Sequence, residues 1–191
     1  AAGLVVSPGF IDLHTHSPTE LGQYYQLFDG VTTALELEAG TFPVGAYAGQ
    51  ISQQALINYG ASAGYLTVRL LEKDGIAAPD PAGTPSPVGI KGWITAIRFL
   101  FTDFNSALSR TFTEAATDEE LDVFRARLNE GLDQGGLGIG LPLDYISEAV
   151  DERELRMIFE VAAARGAPVF VHIRRGVNGD PAGLREVLAL A

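Results

Sequence analysis

Apolar and polar positions along this chain change period repeatedly, and each change marks a strand giving way to a helix. "GFIDLH" (9–14) reads as a short buried strand. Over 19–28, Leu21, Tyr24, Tyr25 and Phe28 recur at helical spacing, and Asp29-Gly30 ends that helix. "VTTALEL", β-branched and apolar, is a second strand. A helix is expected over 43–58, with Pro43 in its first turn and Gly60 after its end. "GYLTVRLL" (64–71) is expected as the third strand.

Residues 72–92 break the rhythm. Pro79, Pro81, Pro85 and Pro87 stand among glycines, so regular ladders are excluded and a long loop is expected. The apolar stretch 93–109 fits either element. Regularity then returns. Thr117 to Glu120 form a capping box, followed by Leu121, Phe124, Leu128 and Leu132 on one helix face. "GLGIGLPL" (136–143) is a fourth strand. Asp151 and Glu154 cap a helix lined by Leu155, Ile158, Phe159 and Ala162 and closed by Gly166. "PVFVHI" (168–173) is a fifth strand, and Asp180-Pro181 opens a last helix.

Strands alternating with helices imply an α/β fold with a parallel sheet. The strands are short and apolar throughout, as strands covered on both faces are. A (β/α)8 TIM barrel takes about 250 residues. With 191 residues, five units make a partial barrel; a complete doubly wound sheet is the alternative. "GGLGIG" does not support the latter as a phosphate loop, because it precedes or lies within a strand rather than opening a helix.

Composition narrows the chemistry. A net charge of −11 argues against nucleic acid and anionic membrane as partners. No cysteine is present, which excludes disulfides, thiolate nucleophiles and cysteine-ligated zinc. No apolar run reaches transmembrane length. The opening "AAGLVVSPGF" has no basic n-region, so no signal peptide is read and the sequence reads as the interior of a longer protein. It assigns no compartment, with the cytoplasm slightly favoured.

The chemistry-bearing residues gather at strand ends. All three histidines are among them. His14 and His16 point the same way by strand alternation, so they either share a metal ion or are solvated at a polar strand end. Glu36 and Glu38 share a face at the end of strand two, either buried against a cationic partner or exposed beyond the strand. His172 ends strand five, as a ligand or as a satisfied core histidine. Tyr145 follows strand four, as an oxyanion donor or a rim aromatic. Arg174 and Arg69, near the ends of strands five and three, fit either a substrate carboxylate or a salt bridge. Asp12 shares the side of His14, at the site or in an ion pair elsewhere.

"GLVVSPGFIDLHTHS" resembles the opening of the metal-dependent amidohydrolase superfamily, and "DGVTTALELEAG" resembles its second strand. The stretches 113–140 and 151–176 are similar to the D-aminoacylase branch, the N-acyl-D-amino-acid deacylases. The resemblance implies a TIM barrel of which 1–191 is the N-terminal part, with the rest of the barrel and a small β-sandwich outside this chain. It implies that His14 and His16 hold the more buried of one or two divalent ions, zinc in the family, and that His172 holds the other. It places Tyr145 near the substrate. A histidine on strand six and a proton-shuttling aspartate on strand eight complete the family site and lie beyond this chain. D-aminoacylases use a cysteine to bridge the metals; with none here, Glu38 is the expected bridging or third ligand and Glu36 the second choice.

The activity implied is metal-assisted hydrolysis of a linear amide, an N-acyl-D-amino acid as small-molecule substrate, with 72–92 covering the pocket. Homo-oligomerisation is compatible with this. Two alternatives stand beside it. One is a cyclic amidase or dipeptidase of the hydantoinase, dihydroorotase or isoaspartyl dipeptidase type. The other is a non-catalytic binding or assembly protein of the same fold.

Overall fold

A computed structural model describes residues 3–16, 19–51, 55–77, 110–175 and 179–191. Five parallel strands form one sheet in the order β1-β2-β3-β4-β5, where β1 is Phe10–Asp12, β2 Val31–Thr41, β3 Asn58–Gly64, β4 Ile139–Leu141 and β5 Val169–Val171. Helices α1 (Glu20–Phe28), α2 (Val44–Ile51) and α3 (Tyr65–Asp74) follow the first three strands. Helices α4 (Asp118–Asp133), α5 (Glu152–Arg165) and α6 (Ala182–Leu188) come later in the chain.

Strand order equals chain order. A doubly wound sheet reverses its order at a switch point; among the described strands no reversal occurs. The sheet also curls. Three strand spacings separate β2 from β5, about 14 Å if the sheet were flat. Yet Glu38 of β2 brings Oε1 to 3.1 Å from Nδ1 of His172, just past β5. Sequential parallel strands on a curled sheet are five units of a TIM barrel, as the periodicity predicts.

The caps form as the sequence dictates. Thr117 and Glu120 satisfy each other's backbone N–H groups at the start of α4, and the Asp151 side chain accepts from the Glu154 N–H at the start of α5. Gly166 takes the left-handed conformation that ends α5. Phe124 and Leu128 of α4 and Leu155 and Ile158 of α5 pack, fully buried, against Ile139 and Leu141 of β4. This wall of core holds the outer helices to the sheet.

The third strand is a correction. Residues 64–71 do not form it; all but Gly64 lie in α3, and the strand is "NYGASAG" just before. Gly60, Ala61, Ser62, Ala63 and Gly64 lack the bulk that marks a strand by composition. They are small because neighbours press on them. A Cβ on Gly60 would come within 2.7 Å of Leu137, and one on Gly131 of α4 within 2.7 Å of the Ala63 Cβ. In "YLTVRLLEK", Tyr65, Val68, Arg69 and Lys73 are buried at helical spacing.

Other boundaries move with it. The helix expected over 43–58 is described over Val44–Ile51, residues 55–57 are not helical, and Asn58 and Gly60 lie inside β3 rather than in or after a helix. Residues 72–74, expected in the loop, finish α3, which Gly75 caps. The proline-rich run from Pro79 onward and the apolar stretch to 109 lie outside the described residues. The last helix begins at Ala182 with Pro181 as its cap, one residue later than expected. No helix among the described residues is long and apolar enough to cross a membrane.

Candidate metal centre

The C-terminal ends of β1, β2 and β5 converge on one place. β1 stops at Asp12, whose carboxylate accepts the backbone N–H of His14 at 3.0 Å. The chain then doubles back along β2: His14 bridges to Glu36, and the Thr15 N–H reaches the Leu35 carbonyl at 3.4 Å. The two histidines are therefore not carried by a continuing strand, yet their rings still converge. The β2 strand supplies both carboxylates from one face, and it buries them, Glu36 to 7% exposure and Glu38 to 9%.

Three donor atoms meet there. Nε2 of His14 and Nε2 of His16 are 3.1 Å apart. Oε2 of Glu38 lies 3.8 Å from the first and 3.6 Å from the second. A point equidistant from atoms so spaced lies about 2.0 Å from each at its nearest, the length of a zinc–nitrogen or zinc–oxygen bond. Two imidazole nitrogens and a carboxylate oxygen are also the donor types a first-row divalent ion takes. The donor set fits such an ion.

The other carboxylate oxygen of Glu38 faces His172, Oε1 to Nδ1 at 3.1 Å. Glu38 thus stands between the His14–His16 pair and His172, one oxygen toward each. Tyr145 belongs to a 3-10 turn, Leu143–Ile146, directly after β4, and its ring meets the His172 ring edge-on at 5.1 Å between centroids. A cavity of about 480 Å³ opens beside these groups, walled by Leu13, Leu37, Phe170 and Val171. Burial pushes the Glu36 carboxyl above its ordinary pKa, and the hydrogen bond and charge of His16 only partly counter that rise.

Two residues expected here are elsewhere. Arg69 lies on α3, not at a strand end, and is fully buried. It pairs with Glu154 of α5, and its remaining N–H groups donate to the carbonyls of Thr111 at 3.0 and 3.2 Å and Glu114 at 2.8 Å. Arg174 donates to the carbonyls of Ser147 and Val150 and pairs with Glu186 of α6 at 3.0 Å. Both guanidiniums fasten elements together; Arg69, on a helix and fully buried, is not at the strand end expected of it. The error had one source for Arg69, the misplaced third strand.

Sequence reasoning missed Asp144. Its carboxylate accepts the Arg175 backbone N–H at 2.9 Å and pairs with the Arg175 side chain at 2.8 Å, while its own N–H reaches the His172 carbonyl at 3.1 Å. It ties the Tyr145 turn to the backbone that carries His172. Nothing in its spacing sets it apart from other surface acids.

No family model matches the chain, and no curated protein matches it. Solved structures do. N-acyl-D-glutamate deacylase from Bordetella bronchiseptica, complexed with zinc and a phosphonate that mimics the tetrahedral intermediate, superposes with a TM-score of 0.63 at 22% identity. That match covers 96% of this chain and 37% of the other. A D-aminoacylase described as defining a novel subset of amidohydrolases gives 0.52 at 20% identity, over 96% and 38% of the two chains. A D-aminoacylase mutant in complex with copper chloride gives 0.53 at 19%, with the same shares. The chain spans less than two fifths of the length of each structure it matches. Along nearly all of its own length, then, this chain has the fold of one part of these deacylases.

Proposed function

We propose that this chain is part of a metal-dependent amidohydrolase that cleaves a linear amide, an N-acyl-D-amino acid. One observation carries the reading: Nε2 of His14, Nε2 of His16 and Oε2 of Glu38 lie 3.1–3.8 Å from one another, as ligands of a single ion do. Zinc suits the nitrogen and oxygen donors. The match to two kinds of deacylase points to the substrate class.

The chemistry that a divalent ion held there would supply is Lewis acidity toward an amide carbonyl and toward water. The chain's residues do the rest. His14, His16 and Glu38 would hold that ion, and Glu38 presents its second carboxylate oxygen toward His172, which would hold a second. Tyr145, resting on the His172 ring, donates its O–H to the carbonyl oxygen as negative charge develops there. Leu13, Leu37, Phe170 and Val171 present apolar surface that suits the acyl group.

The test is metal analysis of the full-length protein, with hydrolysis measured for N-acyl-D-amino acids beside hydantoins and β-aspartyl dipeptides. We expect bound zinc, and turnover of the N-acyl-D-amino acids that falls at least 100-fold in Glu38→Ala. Turnover of only a cyclic amide or a dipeptide would overturn the substrate class. A folded protein that binds no divalent ion would overturn the hydrolase.

A further inference from the structure

His16 uses its two ring nitrogens in opposite directions. Nε2 faces His14 and Glu38, at 3.1 and 3.6 Å. Nδ1 faces Glu36, at 2.8 Å from one carboxylate oxygen and 2.9 Å from the other. A carboxylate only accepts, so the ring nitrogen facing it carries the hydrogen. A neutral imidazole has a single N–H, which leaves the lone pair on Nε2.

We infer that Glu36 is a positioning residue: it holds His16 as the Nδ1–H tautomer and aims the Nε2 lone pair at the point shared with His14 and Glu38. Its own chemistry toward an ion is indirect, because both its oxygens engage the opposite edge of the ring. Three features make it suited to the task. It lies on β2 two residues before Glu38, so strand alternation presents both carboxylates to the same ring, one behind and one in front. It is buried in the sheet, whereas His16 sits in irregular backbone beyond β1 with its side chain half exposed. The main chain near His16 is joined to the same strand through the His14–Glu36 bridge, so ring and carboxylate share one frame. A carboxylate behind a ligating histidine also raises its basicity, and losing such a partner typically weakens metal binding about 10- to 100-fold.

The value of this arrangement to an ion rests on the proposed hydrolase; the tautomer does not. The full-length protein, freed of metal at pH 8 and labelled with nitrogen-15 in its histidines, is measured by long-range proton–nitrogen correlation. Zinc affinity is then read by competition with a chromophoric chelator. We expect His16 as the Nδ1–H tautomer in the wild type, and a shift toward Nε2–H in Glu36→Leu with zinc binding about 10- to 100-fold weaker. Glu36→Gln keeps an accepting oxygen, so it should retain the Nδ1–H tautomer and bind zinc more tightly than the leucine variant. A wild-type His16 protonated on Nε2 alone would overturn the inference, and so would a leucine variant binding zinc as tightly as wild type. If the wild type binds no zinc, the proposed function falls too; if it does and the leucine variant matches it, only the role of Glu36 falls.

Discussion

Gly140 has no side chain because other atoms occupy the place where one would go. A Cβ built on it would lie 2.5 Å from Ser62 Oγ, 2.6 Å from the Leu37 carbonyl and 2.7 Å from the Glu38 carbonyl. Ser62 in turn donates to that Leu37 carbonyl at 2.6 Å, so the backbone that carries Glu38 is braced from two strands. Gly140→Ala must push this backbone outward. Overpacking of that kind costs about 1–3 kcal/mol, read as a lower urea midpoint. Zinc affinity should fall with it although no ligand has changed. An unchanged midpoint and affinity would show that β2 yields freely. At this scale the sequence was legible where chemistry is local: the imidazoles and carboxylates at 14, 16, 36, 38 and 172 could be picked out by type and spacing. The clash behind Gly140 was not, because it involves residues distant in sequence.

Between elements, the buried Arg69–Glu154 pair joins α3 to α5, and the Tyr65 hydroxyl shares the same carboxylate oxygen. Burial and the Glu154 charge hold the Tyr65 hydroxyl protonated, well above its ordinary pKa. Breaking a buried pair from one side strands the other charge, which typically costs about 3–5 kcal/mol. Arg69→Met should therefore melt far below wild type while the protein that remains folded keeps its KM. A raised KM with normal stability would restore Arg69 to the substrate. Here local signals were strong for helices that carry explicit caps, as at Thr117 and Asp151. They failed for β3, whose small residues answer to the Leu137 side chain and to the close approach of α4 at Gly131 rather than to strand propensity. A mixed run such as "YLTVRLL" satisfies both periods over so short a length, and burial of Tyr65, Val68 and Arg69 together decides for the helix.

Across the whole molecule, β1 and β5 each pair on one side only among the described strands. Around β1 and α1 the surface stays apolar: Val5, Phe10, Ile11, Tyr25 and Phe28 are all exposed. Unpaired strand edges beside apolar surface template association. Residues 1–191 prepared alone should sediment as assemblies that grow with concentration. A cooperatively melting monomer would contradict this and would mean that five units suffice to bury their own core.

The sequence by itself determined the alternation of strands and helices, the capped helix starts, and the residue types that gather at strand ends. Those follow from period, caps and composition, all of which act within a few residues. Tertiary structure decided which segment became the third strand, that Arg69 and Arg174 brace the frame, and that His16 is held from behind by Glu36. It also decided that Glu38 meets histidines that follow both β1 and β5. That meeting depends on the curl of the sheet, and the curl comes from the twist and packing of all five strands together rather than from any one of them.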